Sequence, residues 1–168
     1  MAAATVTTAN ANKAMFFRNV KRKENGRAAE ARDPEQGRFY AFNTGAISIA
    51  TTQIDDVGDV TRLLQFPDNS LLVDIQITAT DMDTNGAPAL VADVTSETTA
   101  AVHTVLISGS TIGQAAGSDD LDRGSGHLLR SVGGTYLSYK VTTASATPAA
   151  GTLTAKGIIY IGSPVTVA

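Results

Sequence analysis

The amino-acid sequence predicts an all-β protein, an antiparallel β-sandwich of jelly-roll-like build carried behind an extended or partly helical N-terminal arm. Three observations predict it. Only 17% of the 168 residues are charged and 5% are aromatic, with no Trp, while Thr, Ala, Ser, Gly and Val dominate. Small and β-branched side chains fill thin sheets better than they fill a helical bundle. Several short runs alternate apolar with polar residues, the period of a half-buried strand, and turn signals separate them at intervals of roughly ten residues. The length suits one domain plus an appendage.

The elements follow in order. The opening MAAATVTTANANKAM is small, polar and without periodicity, so any order in it has to come from contact. The run Lys13 to Glu24 has Asn12 as a cap, Phe16 and Val20 one turn apart and Asn25-Gly26 as a stop, which predicts a short helix. Asp33-Pro34 and Gly37 then form a turn. Beyond it the expected strands are 45–53 with Ile47 and Ile49 inward, 57–66, and 71–79 with Leu71, Val73, Ile75 and Ile77 on one face. They continue with 87–95, 103–110 with Val105 and Ile107 inward, 127–132, 135–142 and 151–161. Gly133-Gly134 reads as a hairpin turn between HLLRSV and TYLSYKV. About eight short strands with such turns fit a jelly roll or a related two-sheet sandwich.

Charge divides the chain. Residues 1–40 carry eight basic against four acidic side chains, a net of +4, and residues 41–168 carry −7. The expected organisation is therefore a basic N-terminal arm, 1–40, and a sandwich domain, 41–168; such asymmetry marks a tail that meets a partner surface. The absence of cysteine removes disulfides, thiolate metal sites and thiol nucleophiles. An apolar signal core and a run of membrane-spanning length are both missing, which predicts a soluble chain made without a secretion signal.

Chemistry has few places to reside. Asp81, Asp83 and Asn85, followed by Gly86, reproduce the first half of a calcium loop, with oxygen ligands at alternate positions and a glycine for the sharp turn. The twelfth position, where a bidentate Glu belongs, is Ala92, and the competing reading is a strand-end turn whose side chains bond their own backbone. His103 and His127 lie in no metal or acid-base spacing. Gly124-Ser125-Gly126 lacks the GxSxG context of a hydrolase, and the glycines at 113 and 117 lack a following Lys-Ser/Thr. The sequence therefore predicts no enzyme and no cofactor. Lys21-Arg22-Lys23 with Phe16, Phe17, Phe39 and Tyr40 has the residue types that grip nucleic acid, but the arm's four acids and the acidic body disfavour it and favour an acidic protein surface.

The stretch GDVTRLLQFPDNSLLVDIQITATDMDTNGAPALVADV, from Gly58, continued by TVLISGSTIGQAAGSDD, resembles the head decoration or cement proteins of tailed bacteriophages. Leu63, Leu64, Phe66, Pro67, Val73, Ile75, Ile77, Ala115 and Gly117 carry the pattern as scaffold positions, over roughly residues 45–120. The resemblance implies a virion structural protein, commonly trimeric, assembled in the host cytoplasm and seated on the capsid exterior against the major capsid protein. It implies stabilisation of the assembled lattice without catalysis and without a membrane. The residues expected to make the capsid contact are Phe16, Phe17, Arg18, Lys21, Arg22, Lys23, Arg27 and Phe39. The competing functions are a phage tail, neck or baseplate component and a host-glycan-binding jelly-roll module.

Overall fold

A computed structural model describes residues 6–8, 18–19, 38–98, 100, 102–121 and 130–162. Among them run β1 (Val6–Thr8), β2 (Arg18–Asn19), β3 (Arg38–Asn43), β4 (Ile47–Ile49), β5 (Val60–Gln65) and β6 (Ser70–Ala79). They are followed by β7 (Val91–Glu97), β8 (His103–Ser110), β9 (Gly117–Asp120), β10 (Arg130–Ser131), β11 (Tyr136–Thr143) and β12 (Gly151–Ile161). Single 3-10 turns occupy Thr51–Gln53 and Ile112–Gln114.

The strands form the expected two-sheet sandwich. One sheet has five strands in the order β1-β5-β11-β7-β8; the other has seven, along the path β10-β6-β12-β3-β2 with β4 beside β12 and β9 beside β6. Every pairing is antiparallel except β1 with β5. The seven-stranded sheet contributes Phe42, Leu72, Ile75, Ile77, Leu153 and Ile159 to one core cluster, and the five-stranded sheet contributes Leu63, Val94, Leu137, Tyr139 and Val141. Each such aliphatic side chain taken from water stabilises the fold by about 1.5 to 3 kcal/mol before ordering costs. Phe42 and Phe66 meet edge to face in that core, ring centroids 6.0 Å apart.

Two β-bulges overturn the expected facing of residues. Along β6, Asp74 pairs with Ile158 and Leu72 with Ile159, so Val73 is an extra residue. Side-chain parity inverts across a bulge. Leu72 is therefore buried with Ile75 and Ile77, while Leu71 points outward beside Tyr160. In β8, Ile107 pairs with Val94 and Val105 with Thr95, leaving Leu106 extra. Leu106 and Ile107 are both buried, and Val105 is exposed rather than inward.

Gly133-Gly134 makes a turn but not a hairpin. Thr135 N–H donates to Val132 O at 3.2 Å and Gly134 takes φ +70, a backbone state that glycine enters without steric cost. The strand before the turn, β10, pairs with β6, whereas the strand after it, β11, pairs with β5 and β7. The turn thus carries the chain from one sheet to the other.

The expected helix over residues 13–24 gives way to a strand where the structure describes it. Arg18 and Asn19 pair with Ala41 and Tyr40; the remainder of that stretch lies outside the described residues. Arg38–Asn43 forms a full strand between β12 and β2, so Phe39 and Tyr40 belong to the sheet.

Candidate functional site

In a sandwich the inner faces are consumed by the core, so recognition falls to the outer faces, the edges and the end loops. The three candidate regions differ in how far their polar groups are already satisfied.

The centre of the outer face of the five-stranded sheet is closed by its own side chains, while Val105 on β8 stays exposed beside it. Arg62 on β5 reaches across β11 to Glu97 on β7, with Nη2 donating to Oε1 at 2.8 Å and Nε to Oε2 at 3.1 Å. Ser138 on β11 donates from Oγ to the same Oε2 at 2.7 Å. Glu97 is 1% exposed and Arg62 20%, and the guanidinium carbon stands 4.7 Å from the centre of the Tyr136 ring. His103, paired with Glu97 across the β7–β8 ladder, has Nδ1 3.1 Å from Thr95 Oγ1. Burial and then Lys140 hold this imidazole below its ordinary range. Of the two tyrosines on β11, Tyr139 is buried in the core. Tyr136, the other, is covered by Arg62.

The hydrogen bonds from Arg62 hold the Glu97 carboxyl below the usual carboxylate range; burial opposes them, and Ser138 adds to them. A depressed carboxyl contributes stability above its unfolded value of about 4.3 and loses it as pH falls through the folded value. Glu97→Gln is therefore expected to cost about 2 kcal/mol at neutral pH, because Arg62 is left partly buried without its charge partner. The gap between the two proteins should narrow as urea melts are repeated from pH 6 towards pH 3. A constant gap would show that the pair contributes nothing pH-dependent.

At one end of the sandwich, Asp83 ties together two of the loops that cross between sheets, β6–β7 and β11–β12. Its Oδ2 accepts N–H bonds from Ala89 at 2.7 Å, Leu90 at 3.0 Å and Ala146 at 3.1 Å, and its Oδ1 accepts from Thr147 at 3.0 Å. Burial alone would raise this carboxyl, but the four N–H groups outweigh it and hold Asp83 far below the ordinary carboxylate range. Asp81 Oδ1 accepts from Asp83 N–H and Asn85 Oδ1 from Ala87 N–H, while Asn85 Nδ2 donates to Thr147 Oγ1. Asp81, Asp83 and Asn85 thus bond mainly to main chain, and a calcium ion at this loop would have to displace the bonds on Asp83. Among the described residues no group of three or more His, Cys, Asp or Glu side chains is gathered as for a metal ion.

The outer face of the seven-stranded sheet is different. Register places Phe39, Tyr160 and Leu71 in one row across β3, β12 and β6, and Ala41, Ile158 and Asp74 in the next. Phe39 is 50% exposed and tilts against Tyr160, ring centroids 5.2 Å apart. Towards the other end the face turns polar, as a shallow open depression of about 430 Å³ bordered by Asn43, Gln76, Asp120 and Lys156. Gln76 Nε2 donates to Asp120 Oδ1 there at 3.1 Å.

Of the residues expected to make a capsid contact, Phe39 stands on this face and Arg18 lies in β2, the strand next to β3. Phe16, Phe17, Lys21, Arg22, Lys23 and Arg27 fall outside the described residues, as does His127. Sequence reasoning missed Tyr160, Ile158 and Leu71. A signal for the first two was present: the run Ile158 to Ile161 is apolar on both parities, more than a strand with one solvated face requires.

The fold and this face describe an all-β sandwich with one outer surface closed at its centre and the other partly apolar. No protein-family model and no curated protein matches the chain. Among solved structures it is similar to a chain of the Cyanophage Pam1 capsid asymmetric unit, with a TM-score of 0.62 and 22% identity over 84% of this chain and 98% of that one. It is also similar to a chain in the capsid of Ralstonia phage GP4, with a TM-score of 0.60 and 21% identity over 95% and 99% of the two chains. The sandwich is therefore a fold found in phage capsids.

Proposed function

We propose that this chain is a virion structural protein, a decoration or cement protein that binds the assembled capsid lattice from outside and stabilises it. The observation that carries the reading is the reach of the likeness: it takes in 95% of this chain and 99% of a chain from a phage capsid, so the similarity is of whole chain to whole chain. The build of the protein agrees. Its end loops and one sheet face satisfy their own polar groups, and its other sheet face presents aromatic side chains.

The mechanism is thermodynamic linkage. A protein that binds the lattice and ignores free capsid subunits adds its binding free energy to the shell, about 2.7 kcal/mol per site when its free concentration is 100 times Kd. The contact residues are Phe16, Phe17, Arg18, Lys21, Arg22, Lys23, Arg27 and Phe39, and the partner is the major capsid protein, met by a homo-oligomer of this chain, a trimer. Purified protein is expected to pellet with assembled shells of the virus that encodes it and to stay in the supernatant with unassembled subunits. Absence from the shell pellet at micromolar concentration would reject the reading.

A further inference from the structure

We infer that Asn85-Gly86 is a site of covalent self-modification: in the folded protein the Asn85 side chain loses ammonia to its own main chain, and water leaves aspartate or isoaspartate in its place. The reactants are the chain and water alone, so the inference goes beyond the capsid-binding reading and does not depend on it.

The chemistry is an internal substitution. The Gly86 main-chain nitrogen gives up its proton to solvent base and forms a bond to Asn85 Cγ. The adduct carries its negative charge on Oδ1; the Cγ–Nδ2 bond then breaks, and Nδ2 takes a proton and departs as ammonia. Water opens the resulting cyclic imide at either carbonyl. Attack at Cγ gives aspartate, whereas attack at the main-chain carbon leaves Gly86 joined through Cγ, an isoaspartate with one more carbon in the main chain.

Four observations place the reaction here. Thr84 to Pro88 are all exposed, so base and water reach the site. No described residue accepts a hydrogen bond from the Gly86 N–H, which leaves the nucleophile uncommitted. Asn85 Oδ1 accepts from Ala87 N–H at 2.9 Å, so a donor already stands on the oxygen that gains charge. The fold also makes no demand for glycine at 86: its φ is outside the left-handed region, and a Cβ there would meet nothing within 4 Å. What the missing Cβ does provide is open approach of the nitrogen to Cγ. The other described asparagines, Asn19, Asn43 and Asn69, precede Val20, Thr44 and Ser70, whose side chains crowd that approach.

The change falls on a joint of the molecule. Asn85 Nδ2 donates to Thr147 Oγ1 at 3.0 Å, a second tie between the loops that Asp83 joins. Conversion removes that donor and adds one negative charge to a chain of net charge −3. In the isoaspartate it also lengthens the main chain between Asp83 and the Ala89 and Leu90 N–H groups bound to it.

The test incubates the full chain at pH 8 in buffer and in guanidinium chloride, then weighs the peptides that carry Asn85 and Asn25. Asn25-Gly26 is the sequence's other Asn-Gly pair, and incubation continues until half of it has converted in denaturant. The native Asn85 peptide should exchange ammonia for water at a rate within about fivefold of its rate in denaturant, and accept methyl groups from a protein-isoaspartate methyltransferase. Gly86→Ala should fold as the parent does and convert about tenfold more slowly. Native conversion slower than the fivefold bound would show that the loop protects Asn85 and overturn the assignment. Conversion of Gly86→Ala as fast as the parent would overturn the imide route. Should that variant fail to fold, the parent's ratio of native to denatured rates decides alone.

Discussion

Asp83→Asn is expected to lower the unfolding free energy by about 4 kcal/mol, well beyond the usual effect of a polar substitution. The carboxylate receives four main-chain N–H bonds from two different loops. Charge-assisted bonds of this kind are roughly twice as strong as neutral ones. An amide of the same shape keeps one acceptor oxygen and turns an NH2 group against N–H groups that need an acceptor. For a chain of this length the loss corresponds to a fall in melting temperature of about 8 to 16 °C. Because the folded carboxyl lies far below its unfolded value, the parent holds this stability above about pH 4 and loses it progressively in stronger acid. Parent and variant should therefore differ most at neutral pH and converge on acidification. A melting difference of under 2 °C at pH 7 would show that the loops hold together without Asp83.

Gly157→Ala is expected to cost about 3 kcal/mol, although it adds one methyl group. Gly157 lies in the middle of β12, which pairs with both β6 and β3. A Cβ built there runs into the main-chain oxygen of Asp74 and approaches the Phe42 ring to 2.8 Å. The ring is the far part of a side chain and can shift, but the carbonyl belongs to the neighbouring strand and cannot move without opening the ladder. Combining Gly157→Ala with Phe42→Leu should therefore relieve a minor part of the strain, giving a small favourable coupling in a double-mutant cycle. Full rescue by Phe42→Leu would locate the clash in the ring alone, and an unperturbed single variant would refute the close approach.

Much of the fold was legible because period-two patterning survives in short, half-buried strands. Ile47 and Ile49 and the long strand over 151–161 stand where alternation puts them. Local patterning fails where a residue is inserted or a partner is distant. Val73 and Leu106 read as members of an unbroken alternation, yet each is the extra residue of a bulge, and only the facing strand reveals it. The turn chemistry at Gly133-Gly134 was correctly read, but which strand each flank would pair with is a property of the whole chain. At Arg18 and Asn19, strand pairing with Tyr40 and Ala41 overrides a helical pattern set by Phe16 and Val20. The candidate surface was half legible. Phe39 declared itself by type, whereas Leu71 joins the outer face through the bulge beside it, and Tyr160 had to be placed by register.

The position of β12 also governs the order in which this protein can be made. It pairs with β3, β4 and β6, so it supplies the spine of the seven-stranded sheet, yet the ribosome delivers it after all three of its partners. Until Gly151 to Ile161 has emerged, β3 and β6 have no shared neighbour, and the Phe39 row lacks Tyr160 and Ile158. Contacts joining such distant parts of a sequence form slowly, and unpaired strands are sticky while they wait. The same segment that completes the sheet completes its outer face, so a nascent chain presents the full Phe39 row only after this strand has been made.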